Sequence, residues 1–273
     1  MSGPHPVVVV GAGLAGLAAA VELSRLGIPV CVLEQKRHGG GRAYSFTDGA
    51  TGETIDNGQH VLIAGYTATM RYLELIGARD HLRFPSATPS LTFHHPERGL
   101  RRFTLARLPP PFHLLGGVLS TDLFSVADRL RLVRAGGALM RSGESEAELS
   151  GLTVDEWLHR AGQSAETIRS FWQPLAIAIM NERTDVASAL LFARCLRRAF
   201  LGGRKDAALV LPSVGLSELF VAPACRYLGE RGSKVVFGAR AATVVLENGR
   251  AAGVRLQDGS LVDAGAVIVA VPA

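Results

Sequence analysis

Four consecutive valines, Val7–Val10, run straight into Gly11-Ala12-Gly13-Leu14-Ala15-Gly16. A β-branched run with no polar interruption is the pattern of a strand buried on both faces of a parallel sheet. From Leu14 to Leu26, apolar and alanine positions recur at helical spacing, and Gly27 stops the pattern. A second strand, Pro29 to Leu33, ends at Glu34 and completes a βαβ unit. In that setting the three glycines do different things. Gly11 permits the tight turn, Gly13 lets backbone approach a pyrophosphate, and Gly16 lets the helix pack on the strand. The helix start at Leu14 and Ala15 presents free N–H groups and a partial positive charge to phosphate. The Glu34 carboxylate can accept both hydroxyls of an adenosine ribose, which favours a ribose without a 2′-phosphate. The opening of the chain is therefore expected to hold the ADP half of a dinucleotide.

Beyond this unit come a glycine cluster (Gly39, Gly40, Gly41), an extended Ala43 to Phe46, the polar turn Asp56-Asn57-Gly58-Gln59-His60, and a helical stretch from about Tyr66 to Ile76. The pattern then changes. Short strand-like pieces at Leu91 to Phe93 and Arg101 to Leu105 give way at Pro109-Pro110-Pro111 to helices over Ser125 to Met140, Thr153 to Arg160, Ala165 to Trp172 and Asp185 to Phe200. Thr153 followed by Glu156 is a capping-box signature. A helix from Leu216 to Arg231 leads into strands Lys234 to Phe237, Ala241 to Leu246, Arg250 to Leu256 and Val262 to Ala264, with hairpin signals at Glu247-Asn248-Gly249 and Gln257-Asp258-Gly259. The last apolar run, Ala266 to Val271, reads as another buried strand. Parallel strands ordinarily continue into a crossover, so the end at Pro272-Ala273 is expected to be a truncation. The predicted architecture is α/β: a discontinuous Rossmann-like domain (residues 1–82 and 205–273) with a parallel sheet and a β-meander, and an inserted, mainly helical substrate or cap domain (residues 83–204).

Hydrophobic residues make up 48% of the 273 and charged ones 19%, yet no apolar run is long enough to span a bilayer, and no basic segment precedes the first apolar blocks. The expectation is a cytoplasmic protein, soluble or peripheral on the inner face of the membrane. Cys31, Cys195 and Cys225 match no metal or redox spacing and are expected to be reduced, packed thiols; no metal site is expected. The net charge of +5 comes from arginines spread along the chain, among them Arg129, Arg131, Arg134, Arg141, Arg194, Arg197, Arg198 and Arg204. Without interleaved stacking aromatics these do not point to nucleic acid. Attraction to an anionic lipid surface accounts for them at least as well.

The stretches GRAYSFTDGATGETIDNGQHVLIAGYTAT, LTVDEWLHRAGQS, FWQPLAIAIMNE, ASALLFARCLRRAFLGG and LPSVGLSELFVAPACRYL resemble the hydroxysqualene dehydroxylase family, also called squalene-associated FAD-dependent desaturases, within the FAD-dependent amine oxidase and phytoene desaturase superfamily. The resemblance runs from Val7 to Pro272. It implies a glutathione-reductase-type fold and FAD as cofactor. Gly11, Gly13, Leu14, Ala15 and Gly16 would hold the pyrophosphate, and Glu34 and Lys36 the adenosine ribose. Gly40, Gly41 and Arg42 would lie on the pyrophosphate–flavin side, where Arg42 offers a forked cationic donor. Gly58, Gln59 and His60 would lie near the isoalloxazine, and Ala241 would meet adenine through its main chain. Gly39 stands where the superfamily commonly has an apolar residue, a departure expected to loosen that loop.

His60 is the candidate catalytic residue. It either hydrogen-bonds the flavin or a leaving hydroxyl, or fixes the loop by bonding backbone. His94 and His95 belong to an expected hairpin and read as solvated. Trp157, Phe171, Trp172, Phe192 and Phe200 read first as core, and together as candidates to line an apolar tunnel for a long-chain isoprenoid substrate. The resemblance implies reduction of hydroxysqualene to squalene by hydride from reduced flavin. A carotenoid-type desaturase, an amine oxidase and a non-catalytic FAD-binding fragment are the alternatives.

Overall fold

A computed structural model describes residues 5–58, 61–85, 90–95, 99–140, 144–200 and 206–272. Strand β1 (Val7–Val10) is interior to a four-stranded, all-parallel sheet in the order Lys234–Phe237, β2 (Val30–Glu34), β1, Ala266–Val269. Its valine run is explained by burial on two sides. Val9, Val30 and Val32 face a cluster containing Leu17, Ala20 and Val21 of helix α1 (Leu14–Arg25), whereas Val8, Cys31 and Leu33 face a second cluster with Ala239, Val254 and Ala264. The second face is covered by an antiparallel meander of Ala241–Glu247, Arg250–Leu256 and Leu261–Asp263. Asn248 and Gly249 take φ of 51° and 74°, the left-handed pair that closes a tight hairpin.

The chain divides into two compact units. One comprises Met1–Leu62, Thr67–Arg83 and Leu211–Ala273, and the other Ile63–Tyr66 and Phe84–Val210. The second is mainly helical: Phe112–Ser120, Val126–Met140, Glu144–Leu149, Val154–Arg160, Gln173–Met180 and Ala189–Phe200, with a hairpin of Ser90–His95 against Gly99–Thr104. Thr153 caps its helix through the box anticipated from the sequence, Glu156 N–H donating to Thr153 Oγ1 at 3.2 Å and Thr153 N–H to Glu156 Oε2 at 2.9 Å. The aromatics take the core placement that is their first reading. Phe171 meets Phe93, Phe103, Phe124 and Trp172, and Trp157, Trp172 and Phe192 meet one another edge to face at 5.9 to 6.3 Å, so the rings fill a core. The Trp172 indole N–H donates to buried Gln163, whose amide donates in turn to the Arg131 carbonyl.

Element bounds shift where proline intervenes. The helix expected to end at Trp172 continues through a five-residue π segment, Ile168–Trp172, into Gln173–Met180; the helix expected from Leu216 likewise opens with π-turns at Ser217–Val221 before Ala222–Gly229. Pro174 and Pro223 stand at the second residue after these segments. Widening the turn relieves the clash that a proline ring makes with the carbonyl four residues back. The helix expected from Asp185 starts at Ala189. Cys195 is exposed, contrary to the packed thiol expected there, while Cys31 is buried and Cys225 half-buried. Burial pushes the Cys31 and Cys225 thiols up from their ordinary pKa. No helix among the described residues is long and apolar enough to cross a membrane.

Candidate functional site

At the end of β1 the chain turns through Gly11, whose φ of +104° is a left-handed conformation that side chains rarely adopt and whose N–H donates to the Leu33 carbonyl at 2.7 Å. A Cβ there would lie 2.7 Å from the Ala270 carbonyl oxygen. A Cβ on Gly16 would collide with the Gly11 carbonyl, which is why α1 can sit so close to the strand. Gly13 differs from both. It caps α1 in an extended conformation with no side-chain cap, no acidic residue follows in the first turn, and nothing lies within 4 Å of where its Cβ would be. The amides of Leu14, Ala15 and Gly16 thus open, with their partial positive charge uncompensated, beside a backbone face that has no protein neighbour. That is the arrangement a diphosphate requires.

The second glycine cluster closes on the first. Gly40 N–H donates to the Ala12 carbonyl at 2.7 Å, Gly13 and Gly40 form a parallel bridge, and a Cβ on Gly41 would lie 3.3 Å from Gly13 Cα. Gly40 and Gly41 take φ of +96° and +63°, and a Cβ on Gly40 would strike the Ala43 carbonyl. Two loops separated by more than a β-strand in sequence therefore meet backbone to backbone. A Cβ on Gly39 would stand 2.9 Å from Val221 Cγ1, so a side chain there would require Val221 to shift.

Glu34 is buried and its carboxylate is already engaged. Oε2 accepts the Ala12 N–H at 2.8 Å and Oε1 accepts the Lys36 N–H at 2.9 Å. Each oxygen keeps a further lone pair for a hydroxyl, but the structure adds a role that the sequence does not display, that of clamping the glycine turn to the end of β2. Ala241 opens its strand close by, since Ala239 N–H donates to the Glu34 carbonyl at 2.9 Å and Gly238 N–H to the Lys36 carbonyl at 3.0 Å. The side chains of Lys36 and Arg42 are exposed. Arg42 has no carboxylate partner among the described residues, and its carbonyl accepts from Asn57 Nδ2 at 3.0 Å, bringing Asn57 and its neighbour Gly58 to the same loop. Gln59 and His60 lie outside the described residues.

A supporting network escaped the sequence reading. Asp56 Oδ1 accepts from Ser45 Oγ at 2.7 Å and from the Leu216 N–H at 2.9 Å, while Ser45 N–H donates to Ser217 Oγ at 2.8 Å and Ser217 N–H to Ser45 Oγ at 3.0 Å. Gly215 makes room for it, because a Cβ there would sit 2.7 Å from Ser45 Oγ. This network anchors the hairpin Ser45–Thr47/Thr54–Asp56, and so the start of the Asn57-Gly58 turn, to the helix that begins at Ser217. The Asp-Asn-Gly signal marks a turn but says nothing of a partner so far along the chain.

The family model for flavin-containing amine oxidoreductases matches residues 14–273. Hydroxysqualene dehydroxylase of Sinorhizobium fredii is 32% identical over 235 residues, covering 85% of this chain and 52% of that protein. The protein of the same name from Rhodopseudomonas palustris is 30% identical over 267 residues, covering 97% and 61%. Zeta-carotene desaturase of Solanum lycopersicum is 28% identical over 246 residues, covering 84% and 40%. The chain thus spans about half to three-fifths of the length of the dehydroxylases it matches. Among solved structures, an oxidoreductase from Methanosarcina mazei superposes with a TM-score of 0.71 at 19% identity over 97% of this chain and 58% of its own, and putrescine oxidase with 0.64 at 19% identity over 98% and 58%. These two likenesses concern the fold.

Proposed function

Because this chain belongs to the flavin-containing amine oxidoreductase family, we propose that its glycine loops hold the diphosphate of FAD and that the whole protein reduces hydroxysqualene to squalene. The observation that carries the cofactor reading is the open face of Gly13, bordered by the first turn of α1 and by Gly40 and Gly41. A structural turn has no need of that open face, whereas a phosphate oxygen approaching the Leu14, Ala15 and Gly16 amides does. Glu34, through its remaining lone pairs, and Lys36 would take the ribose. Arg42, exposed and without an ion-pair partner among the described residues, would take a phosphate. Ala241 would meet adenine by its main chain.

The reaction replaces a C–O bond by a C–H bond and releases water, which consumes two electrons and two protons. Bound FAD, once reduced, supplies the electron pair as hydride. The substrate's hydroxyl is allylic, so its departure is assisted by delocalisation, and what is left to the protein is orientation, exclusion of competing water and protonation of the leaving hydroxyl. His60, two residues beyond Gly58 in the sequence, is the candidate group for that protonation. The helical unit is proposed to contribute the substrate contacts. Two dehydroxylases at 30% identity or more favour this reading over desaturation, which the zeta-carotene desaturase at 28% supports as the second reading.

The test is product analysis of the full-length protein with reduced FAD under anaerobic conditions. Squalene formed from hydroxysqualene, stoichiometric with flavin oxidation, is the expected result. Flavin reduction by a carotenoid polyene with no squalene from hydroxysqualene would replace the proposal by the desaturase reading.

A further inference from the structure

Two helices of the helical unit leave an apolar face uncovered. On Phe112–Ser120 the exposed large side chains are Phe112 (56%), Leu115 (37%) and Leu119 (51%), spaced three and four apart and so on one side, while His113 and Gly117 turn to the core. On Val126–Met140 the same spacing recurs with Val126 (73%), Leu130 (61%) and Val133 (37%), while Leu132 and Ala135 are buried. Arg129 shares the face of Val126, Leu130 and Val133, and its Nη1 donates to the Leu119 carbonyl at 2.9 Å. The two stripes therefore adjoin. Singly exposed apolar residues are ordinary on a soluble protein, but two adjoining stripes at helical spacing mark a surface that something covers.

Charge identifies the covering. Residues 99–137 contain six arginines, two aspartates and no lysine or glutamate, a net of +4 within a chain whose total is +5. Both aspartates are already paired, Asp122 with Arg101 at 3.1 Å and Asp128 with Arg131 at 2.8 Å. By contrast Arg107 and Arg134 are exposed and have no carboxylate partner among the described residues. The arginines at 194 and 197, which the sequence groups with these, are instead occupied by Glu146. A second copy of the chain would bring two like-charged faces together, which opposes self-association. An apolar stripe flanked by uncompensated guanidinium groups matches a bilayer surface, with acyl chains for the leucines and lipid phosphates for the arginines.

We propose that the face formed by Phe112–Ser120 and the first two turns of Val126–Met140 docks on a membrane surface bearing anionic phospholipid. Leu115, Leu119 and Leu130 enter the headgroup boundary, and Arg107 and Arg134 pair with phosphate. The inference rests on surface chemistry and stands whether or not the reductive reading of the flavin site holds.

Flotation of the full-length protein with phosphatidylcholine vesicles, with and without phosphatidylglycerol, tests it. The protein should float with the anionic vesicles and lose binding as salt rises. Leu119→Ser combined with Leu130→Ser, and separately Arg107→Glu combined with Arg134→Glu, should each lower partitioning about 10-fold or more, with circular dichroism unchanged. Because both arginines are exposed, the charge-reversed pair keeps the test valid even if the serine pair perturbs folding. Failure of the wild-type protein to float with anionic vesicles overturns the proposal. So does a serine pair that abolishes a dimer in sedimentation while vesicle binding persists, which would assign the face to a second copy.

Discussion

Where the parallel-sheet unit brings backbone against backbone at Gly13 and Gly40, the helical unit stacks ring against ring from Phe103 to Phe192. In the first, the decisive positions lack side chains, and a buried carboxylate, Glu34, bonds main-chain amides. In the second, Phe171, Trp157, Trp172 and Phe192 fill a common core. Such backbone contact demands particular residues at particular spacings, since at Gly11 and Gly40 only glycine tolerates both the positive φ and the close approach. A packed aromatic core accepts many arrangements of similar volume. The first region therefore carries a recognisable motif, and the second carries only periodicity.

Four substitutions sharpen or break this contrast. The largest effect is expected for Phe192→Ala, which removes the largest fully buried side chain among the described residues and should cost about 4 kcal/mol in chemical denaturation; a cost no greater than that of a surface change would mean the core is not organised around these rings. Gly16→Ala follows, at about 3 kcal/mol, because its Cβ meets the Gly11 carbonyl and backbone must shift. Glu34→Gln should lower stability by about 2 kcal/mol in the absence of any cofactor, since one of the two backbone amides then faces an amide donor. A loss of nucleotide affinity with no loss of cofactor-free stability would return Glu34 to a role in ribose binding alone.

The smallest effect lies in the helical unit. His113 is 1% exposed, neither ring nitrogen has a partner among the described residues, and burial pushes its pKa below the ordinary histidine value. A lowered native pKa means that the unfolded chain binds the proton more readily. The contribution of this residue to stability is therefore complete above about pH 6.5 and is lost as pH falls through that value toward the native one. His113→Leu should raise stability by about 1 kcal/mol at neutral pH and flatten the acid limb of the pH profile. An unchanged acid limb in the variant would show that another group governs it.

The βαβ unit, the meander and the pairing of the Gly11–Gly16 motif with Glu34 at the end of the second strand are legible because each rests on spacing along a continuous stretch, whereas Gly40 and Gly41 are placed with them by family resemblance. The helix Gln173–Met180 was not, since Pro174 reads as a stop signal while the chain passes it through π-turns. Phe112–Ser120 was hidden behind three prolines and carries Gly116 and Gly117, both poor helix formers, and it persists because Gly117 packs closely on the Thr104 carbonyl. The late start of Ala189–Phe200 follows from Ser188, whose carbonyl accepts the first helical bond from Phe192. The Ser45–Asp56–Ser217 network joins residues far apart in the chain through hydroxyls that any turn contains, so nothing local announces it. Tertiary partners also decide the second role of Glu34, and a sequence shows the carboxylate without showing what it accepts.

Gly13→Val gives the most direct test of the central claim, that the glycine turn leaves a backbone face open for a diphosphate. Titration of the full-length protein with FAD, followed by flavin fluorescence, should show affinity lowered about 100-fold or more, a loss of roughly 3 kcal/mol, while the cofactor-free variant loses only about 1 kcal/mol, the cost of replacing glycine at a helix N-cap, because no protein atom lies within 4 Å of the new Cβ. FAD binding undiminished by the valine would contradict the account.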